Sequence, residues 1–263
     1  MRPKTVLAAS LLVFAAACST TLQTSSGASY LARYDASHEI ANGTATDVDA
    51  DVRRIAAIEP TLVFPARIGL ARIERGALTA LPADEARIWQ DLIDEIGPAY
   101  GEFVPVSPLI ASMVGEPAAP GMDRAAAVIA NIRRGAARQH LDYVLTYEVG
   151  SSREERANAL ALADLTIIGM FVLPSRTIDV DATASGLMLD VCTGYPYATL
   201  TTHAEKSGVA RAVSEWSTGL DYADTAEERA VAKLAQSFGE AMPELAARAA
   251  EMAEGVPESP DLH

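Results

Sequence analysis

Four imidazoles, His38, His140, His203 and His263, are the only histidines in the chain. General acid–base and metal chemistry at neutral pH lean on that side chain. His140 precedes Asp142 across a predicted helix end, where the helix dipole stabilises a histidine. His203 and Glu205 are two residues apart on a predicted strand and share a face. A metal site from His140, Asp142 and His203 would require their strands to be neighbours, and is not expected. Asp179 and Asp181 also share a strand face, with Asp190 at its far end, and read as solvated strand residues rather than a catalytic carboxylate pair. The sequence has no H-E-x-x-H, no paired C-x-x-C, no G-x-S-x-G and no phosphate loop. The expectation is therefore no catalytic residue, no metal site and no cofactor, and a chain that is not an enzyme.

Cysteine carries the one specific signal. Arg2 and Lys4 precede a twelve-residue apolar run, Val6 to Ala17, interrupted only by Ser10. About 20 residues are needed to span a bilayer, so the run fits a secretory h-region instead. Ala15-Ala16-Ala17 leads directly into Cys18. This resembles the signal of bacterial lipoproteins, in which cleavage after the small residues leaves an acylated cysteine as the new N-terminus. The box departs from the usual pattern in having Ala15 where Leu is preferred. The resemblance implies cleavage after Ala17 and lipidation of Cys18 (palmitate among the acyl chains). With Ser19 and not Asp next, it further implies the outer membrane, facing the periplasm. Cys192, the other cysteine, then has no partner in the chain and is expected as a small buried strand residue.

Composition limits the rest. The 263 residues carry a formal charge of −14; removing 1–17, with its two cations, leaves −16. Such a surface repels phosphate backbones, and nucleic-acid binding is not expected. Alanine supplies 50 residues and aromatics only 6%, so the core must be built from Ala, Val, Leu and Ile.

The periodicities predict a single α/β (α+β) domain of three-layer type over 47–253. A mixed sheet of about five strands carries helices packed on it and a long antiparallel hairpin before a C-terminal helix. Residues 18–46 read as the lipidated cysteine and a flexible tether, and 254–263 as a disordered tail. Helices are expected over Asp47–Glu59, from Pro82/Asp84 to Ile96, over Asp123–Gln139, and over Asp224–Met252 with Pro243 kinking or dividing it. Strands are expected over Ala66–Glu74, Phe103–Leu109 (an edge, cut by Pro105 and Pro108), Leu141–Val149, Ile178–Val191 and Pro196–Ala204. Cys192-Thr193-Gly194-Tyr195 forms the hairpin turn.

Three stretches, FPARIGLARIE (Phe64–Glu74), ARQHLDYVLTYEV (Ala137–Val149) and LDVCTGYPY (Leu189–Tyr197), resemble strand and turn signatures of a class of periplasmic lipoprotein domains. That class includes the curli-secretion lipoprotein and the lipoprotein activators of penicillin-binding proteins. The mature chain is also similar to the rhombotarget lipoprotein group, whose members end in a Gly-Gly processing tail that Glu254–His263 does not show. These signatures imply fold more than function.

The apolar stretch Leu160–Leu173 allows several readings: buried core, a short amphipathic helix on the sheet, or a contact surface. The resemblance to the curli-secretion lipoprotein adds a membrane-inserting hairpin, against which the lack of apolar/polar alternation argues. Leu165, Ile167, Ile168, Met170 and Phe171, with Tyr195 and Tyr197 at the hairpin tip, are the candidate interaction surface. The functional expectation is an outer-membrane lipoprotein serving as a non-enzymatic binding or assembly factor. Its partners would be the membrane, through Cys18, and an envelope protein of unknown identity. The alternative is an oligomeric secretion or pore component in which the same domain contacts its own copies.

Overall fold

A run apolar on both sides, such as ARIGLARIE, belongs in the middle of a sheet covered on both faces, and there it lies. The computed structural model describes residues 18–38, 47–117, 121, 123–157, 175–211 and 214–254. Strand β2 (Ala66–Glu74) pairs in parallel with β5 (Tyr143–Ala157) on one side. On its other side β2 pairs in parallel with β4 (Gly101–Pro105) and, further along, antiparallel with β3 (Ala77–Thr79). The β2–β3 turn is Arg75-Gly76, both at positive φ, the combination a tight two-residue hairpin requires. From β5 the sheet continues antiparallel through β6 (Arg176–Asp190) and β7 (Pro196–Ala210) to β1 (Ser19–Leu22). The seven-stranded order is β1-β7-β6-β5-β2-β3, with β4 beside β2.

Helices make the outer layers. On one face lie α3 (Ala83–Ile96) and the 40-residue α6 (Glu215–Glu254). Their Trp89, Leu92, Val231, Leu234, Phe238 and Leu245 pack on Ile68, Leu70, Leu145, Ile178, Met188 and Leu200. On the other face α4 (Pro108–Val114) and α5 (Arg124–Arg138) cover β2 and β5, with Ile132 and Ala136 against Ala71, Val106 and Val144. Two shorter helices, α1 (Gly27–His38) and α2 (Asp47–Ala56), follow β1. The three-layer α/β domain is thus as expected, with seven strands instead of five.

Several expectations need correction. Residues 19–22 and 27–38, assigned to a tether, form the edge strand β1 and helix α1. A Ser/Thr-rich four-residue strand has no apolar alternation; it is held by pairing, Ser19 opposite Thr201 through Leu22 opposite Ala198. Pro108 starts a helix rather than cutting a strand: Ser107 caps it, its hydroxyl accepting from the Ile110 amide, and Pro108 occupies the first turn, where no amide is needed. Pro243 does not divide α6. Cys192 lies exposed in the turn, not buried in the strand.

Candidate functional site

Cys18 is exposed and immediately precedes β1. Beyond Thr201 no strand among the described residues pairs with the outer edge of β7, but α6 covers part of it: Lys233 Nζ donates to the His203 carbonyl at 2.7 Å and Arg229 to that of Glu205 at 3.4 Å. Lysine over a strand edge is a common guard against further strand addition.

The hairpin tip is a clamp. Asp190 is buried; its carboxylate accepts from the Thr193 amide (2.7 Å) and the Thr61 hydroxyl (3.1 Å). Gly194 takes φ 77°, which the turn requires, and Arg133 of α5 donates to the carbonyls of Val191 (3.0 Å) and Cys192 (2.8 Å). Tyr195 and Tyr197, expected as exposed contact anchors, are 7% and 0% exposed. The Tyr195 hydroxyl donates to the Ser25 carbonyl (2.8 Å), and that of Tyr197 accepts from the Thr61 amide (2.9 Å). Beside them Tyr143 accepts from the Val63 amide (2.7 Å), and burial pushes its phenol up to about 12. The LDVCTGYPY signature therefore receives the two segments that enter from the N-terminus, 23–27 and 59–63. Ala17, Leu165, Ile167, Ile168, Met170 and Phe171 lie outside the described residues.

Glu59 extends the clamp to α1. Its carboxylate accepts from the Ala28 amide (2.7 Å), the Gly27 amide (3.2 Å) and the Ser26 hydroxyl (3.2 Å). The Ala28 amide, chiefly, holds this carboxyl below its ordinary value; slight burial opposes it and Ser26 and Gly27 assist. Between α1, α2 and the tip lies a groove of about 350 Å3, lined by Tyr30, Val52, Ile55, Ile58, Tyr195 and Pro196 among others. Val48, Val52 and Ile55 form one stripe on α2, 69, 50 and 54% exposed. A second apolar pair, Leu109 and Met113, one turn apart on α4, is 78% exposed at each residue.

The residues with potential chemistry are not brought together. His140 and Asp142 sit at the tip end of β5, and β6 separates β5 from β7, which carries His203. Asp142 accepts from the Arg67 amide (2.7 Å) and His203 Nδ1 lies 2.9 Å from the Thr183 hydroxyl. Among the described residues no group of three His, Cys, Asp or Glu side chains is arranged to hold a metal ion. Sequence reading missed one buried polar cluster. Arg72, on β2, donates from Nε to both oxygens of Glu85 on α3 (2.8 and 3.0 Å), and the Tyr147 hydroxyl donates to Glu85 at 2.6 Å. Both carboxylate oxygens are engaged, so Glu85 ties α3 to β2 and β5 rather than standing free as a base. Burial would lower the guanidinium of Arg72, but the charge and hydrogen bond of Glu85 and those of Glu74 outweigh it and raise it. Burial, then the Glu85 charge, raises Tyr147. The available signal was an arginine inside an otherwise apolar strand.

No family model and no curated protein matches the chain. Among solved structures it is similar to a minor lipoprotein from Acinetobacter baumannii (10% identity, TM-score 0.36, covering 70% of this chain and 94% of that one). It is also similar to the PelC dodecamer from Paraburkholderia phytofirmans in two crystal forms. Each shows 12% identity and a TM-score of 0.27, with 66% of this chain covered and 91% or 89% of the other. Likeness this weak assigns neither an activity nor an assembly to this chain.

Proposed function

We propose that this chain is an envelope lipoprotein, acylated on Cys18 and held at the periplasmic face of the outer membrane, that acts by binding rather than by catalysis. The observation that carries the reading is the placement of Cys18. It follows a basic n-region, an apolar run and three alanines, and it stands exposed immediately before β1. Ordinary secretion does not require a cysteine there; acylation does. Two or more acyl chains on one residue give stable anchoring, whereas one is marginal. Anchoring concentrates the domain near other envelope components, and the α2 stripe and the Leu109–Met113 pair are among its exposed apolar surfaces. The test is metabolic labelling with palmitate in a Gram-negative host, with the mass of the mature N-terminal peptide. Incorporation at Cys18 that Cys18→Ser abolishes is the expected result; an unmodified peptide refutes the anchor.

A second reading, a self-associating secretion component, has one observation in its favour: exposed apolar side chains lie on different elements, Val48, Val52 and Ile55 on α2, Leu109 and Met113 on α4, and Trp216 and Leu220 on α6, as a ring built through unlike contacts requires. Light scattering on the lipidated protein in mild detergent decides it. A defined multimer supports the ring, and a monomer removes it.

A further inference from the structure

Resting on acylation of Cys18, the structure allows a more specific statement about what the domain touches. In a lipoprotein with a long tether the bilayer imposes no orientation. Here Ser19 is already paired with Thr201 on the sheet, so the leash has no length. Acyl chains on Cys18 place its backbone at headgroup level, and the β1 edge with it. Gly27 follows nine residues later, at most about 30 Å away along a fully extended chain. There α1 meets α2 so closely that a Cβ on Gly27 would lie 2.3 Å from the Ala56 carbonyl oxygen.

The C-terminal end of α2, beside Gly27, therefore lies no more than about 30 Å from the anchored residue. Its Val48, Val52 and Ile55, at i, i+4 and i+7, fall on one narrow stripe. All three are at least half exposed, and Tyr30 beside them is 44% exposed. We propose that this face of α2, with Tyr30, docks on the bilayer that holds the anchor, its apolar side chains entering the headgroup–acyl boundary. The bilayer is the one partner that a zero-length anchor keeps permanently within reach of this helix. Charge narrows the lipid, because the chain as a whole carries a formal charge of −14. The surface it suits is zwitterionic, of the phosphatidylethanolamine type, and anionic headgroups oppose it. The Leu109–Met113 pair, on α4 in the opposite helical layer from α6, then stays available for protein.

The test uses the full-length lipidated protein in phosphatidylethanolamine-rich vesicles carrying nitroxide-labelled lipid. An environment-sensitive fluorophore is attached in a Cys192→Ser background at Val52→Cys or, as control, at Asp91→Cys. Asp91 is an exposed residue of α3, the helix whose Glu85 pairs with Arg72 of β2, toward the opposite end of the strand order from β1. Acylated Cys18 does not react with the thiol reagent, so labelling at Cys18 exposes failure of the anchor itself, separately from failure of docking. The expected result is lipid quenching at position 52 about threefold or more above that at 91, as for a helix lying in the interface. The difference should shrink when the vesicles are made rich in phosphatidylglycerol, and vanish with Val48→Asp and Ile55→Asp together. Equal quenching at 52 and 91 on an acylated protein overturns the proposal. So does a label at 52 shielded from aqueous iodide yet untouched by the lipid quencher, because that face would then be covered by protein.

Discussion

Removing the Glu85 carboxylate is the sharpest probe of how this domain holds together. Arg72 and Glu85 have side chains only 9% exposed, and Glu85 is the shared acceptor for Arg72 and Tyr147. Glu85→Ala strands a guanidinium in a site that excludes water and leaves the Tyr147 hydroxyl without its acceptor. Breaking one side of a buried pair costs about 3–5 kcal/mol. Glu74, 38% exposed and 2.7 Å from Arg72, still neutralises part of the charge, which places the cost near the low end, about 3 kcal/mol. For a domain of this size that is a fall in Tm of about 6–12 °C. The assay is urea unfolding of the chain from residue 18 as Cys18→Ser, followed by Trp fluorescence, since Trp89 packs 5.3 Å from the Tyr147 ring. Arg72→Met leaves the Glu85 carboxylate buried without its guanidinium, at a similar cost. The double variant Arg72→Met/Glu85→Leu should cost less than the two single effects combined, because neither charge is left behind. A loss under about 1 kcal/mol for Glu85→Ala, or strict additivity in the double variant, would show that the pair is solvated and the reasoning wrong.

Other outcomes follow from the same geometry. Gly27→Ala forces a Cβ against the Ala56 carbonyl; α1 should move off α2, at about 1–3 kcal/mol, visible as faster amide exchange in residues 27–33. Glu59 is held below its ordinary value by the α1 amides, so its contribution is complete above that value and is lost as pH falls through the folded one. The wild-type Tm should therefore drop on the acid side more steeply than that of Glu59→Gln. Glu215 has the opposite sign: a hydrogen bond with Glu155, then burial, raises it against the pull of Arg176 and Arg153. Its charged form disfavours folding at neutral pH, so Glu215→Gln should raise Tm there, with the gain fading as pH falls.

The elements whose own side chains create their burial were legible without coordinates. Strand β2 reads as a two-sided apolar run, and α3 and α5 as 3.6-residue stripes with capping signals. Strands β6 and β7 follow from alternation around a Gly-containing turn. The candidate anchor at Cys18 is likewise a property of the chain alone, since it depends on a basic start, an apolar run and small residues in sequence. The Ser107-Pro108 cap was also present in the letters and was outweighed by the prolines around it. What only tertiary structure decided are features whose partners lie far away along the chain. β1 exists because β7 offers it an edge some 180 residues later. Tyr195 and Tyr197 are residue types that interfaces favour, yet they are buried because Ser25 and Thr61 return to meet their hydroxyls. Arg72 finds Glu85 only when α3 crosses β2. Local pattern reports which face of an element is apolar; which polar groups find each other across the fold, and whether the anchor has a leash, depends on pairings that no local window contains.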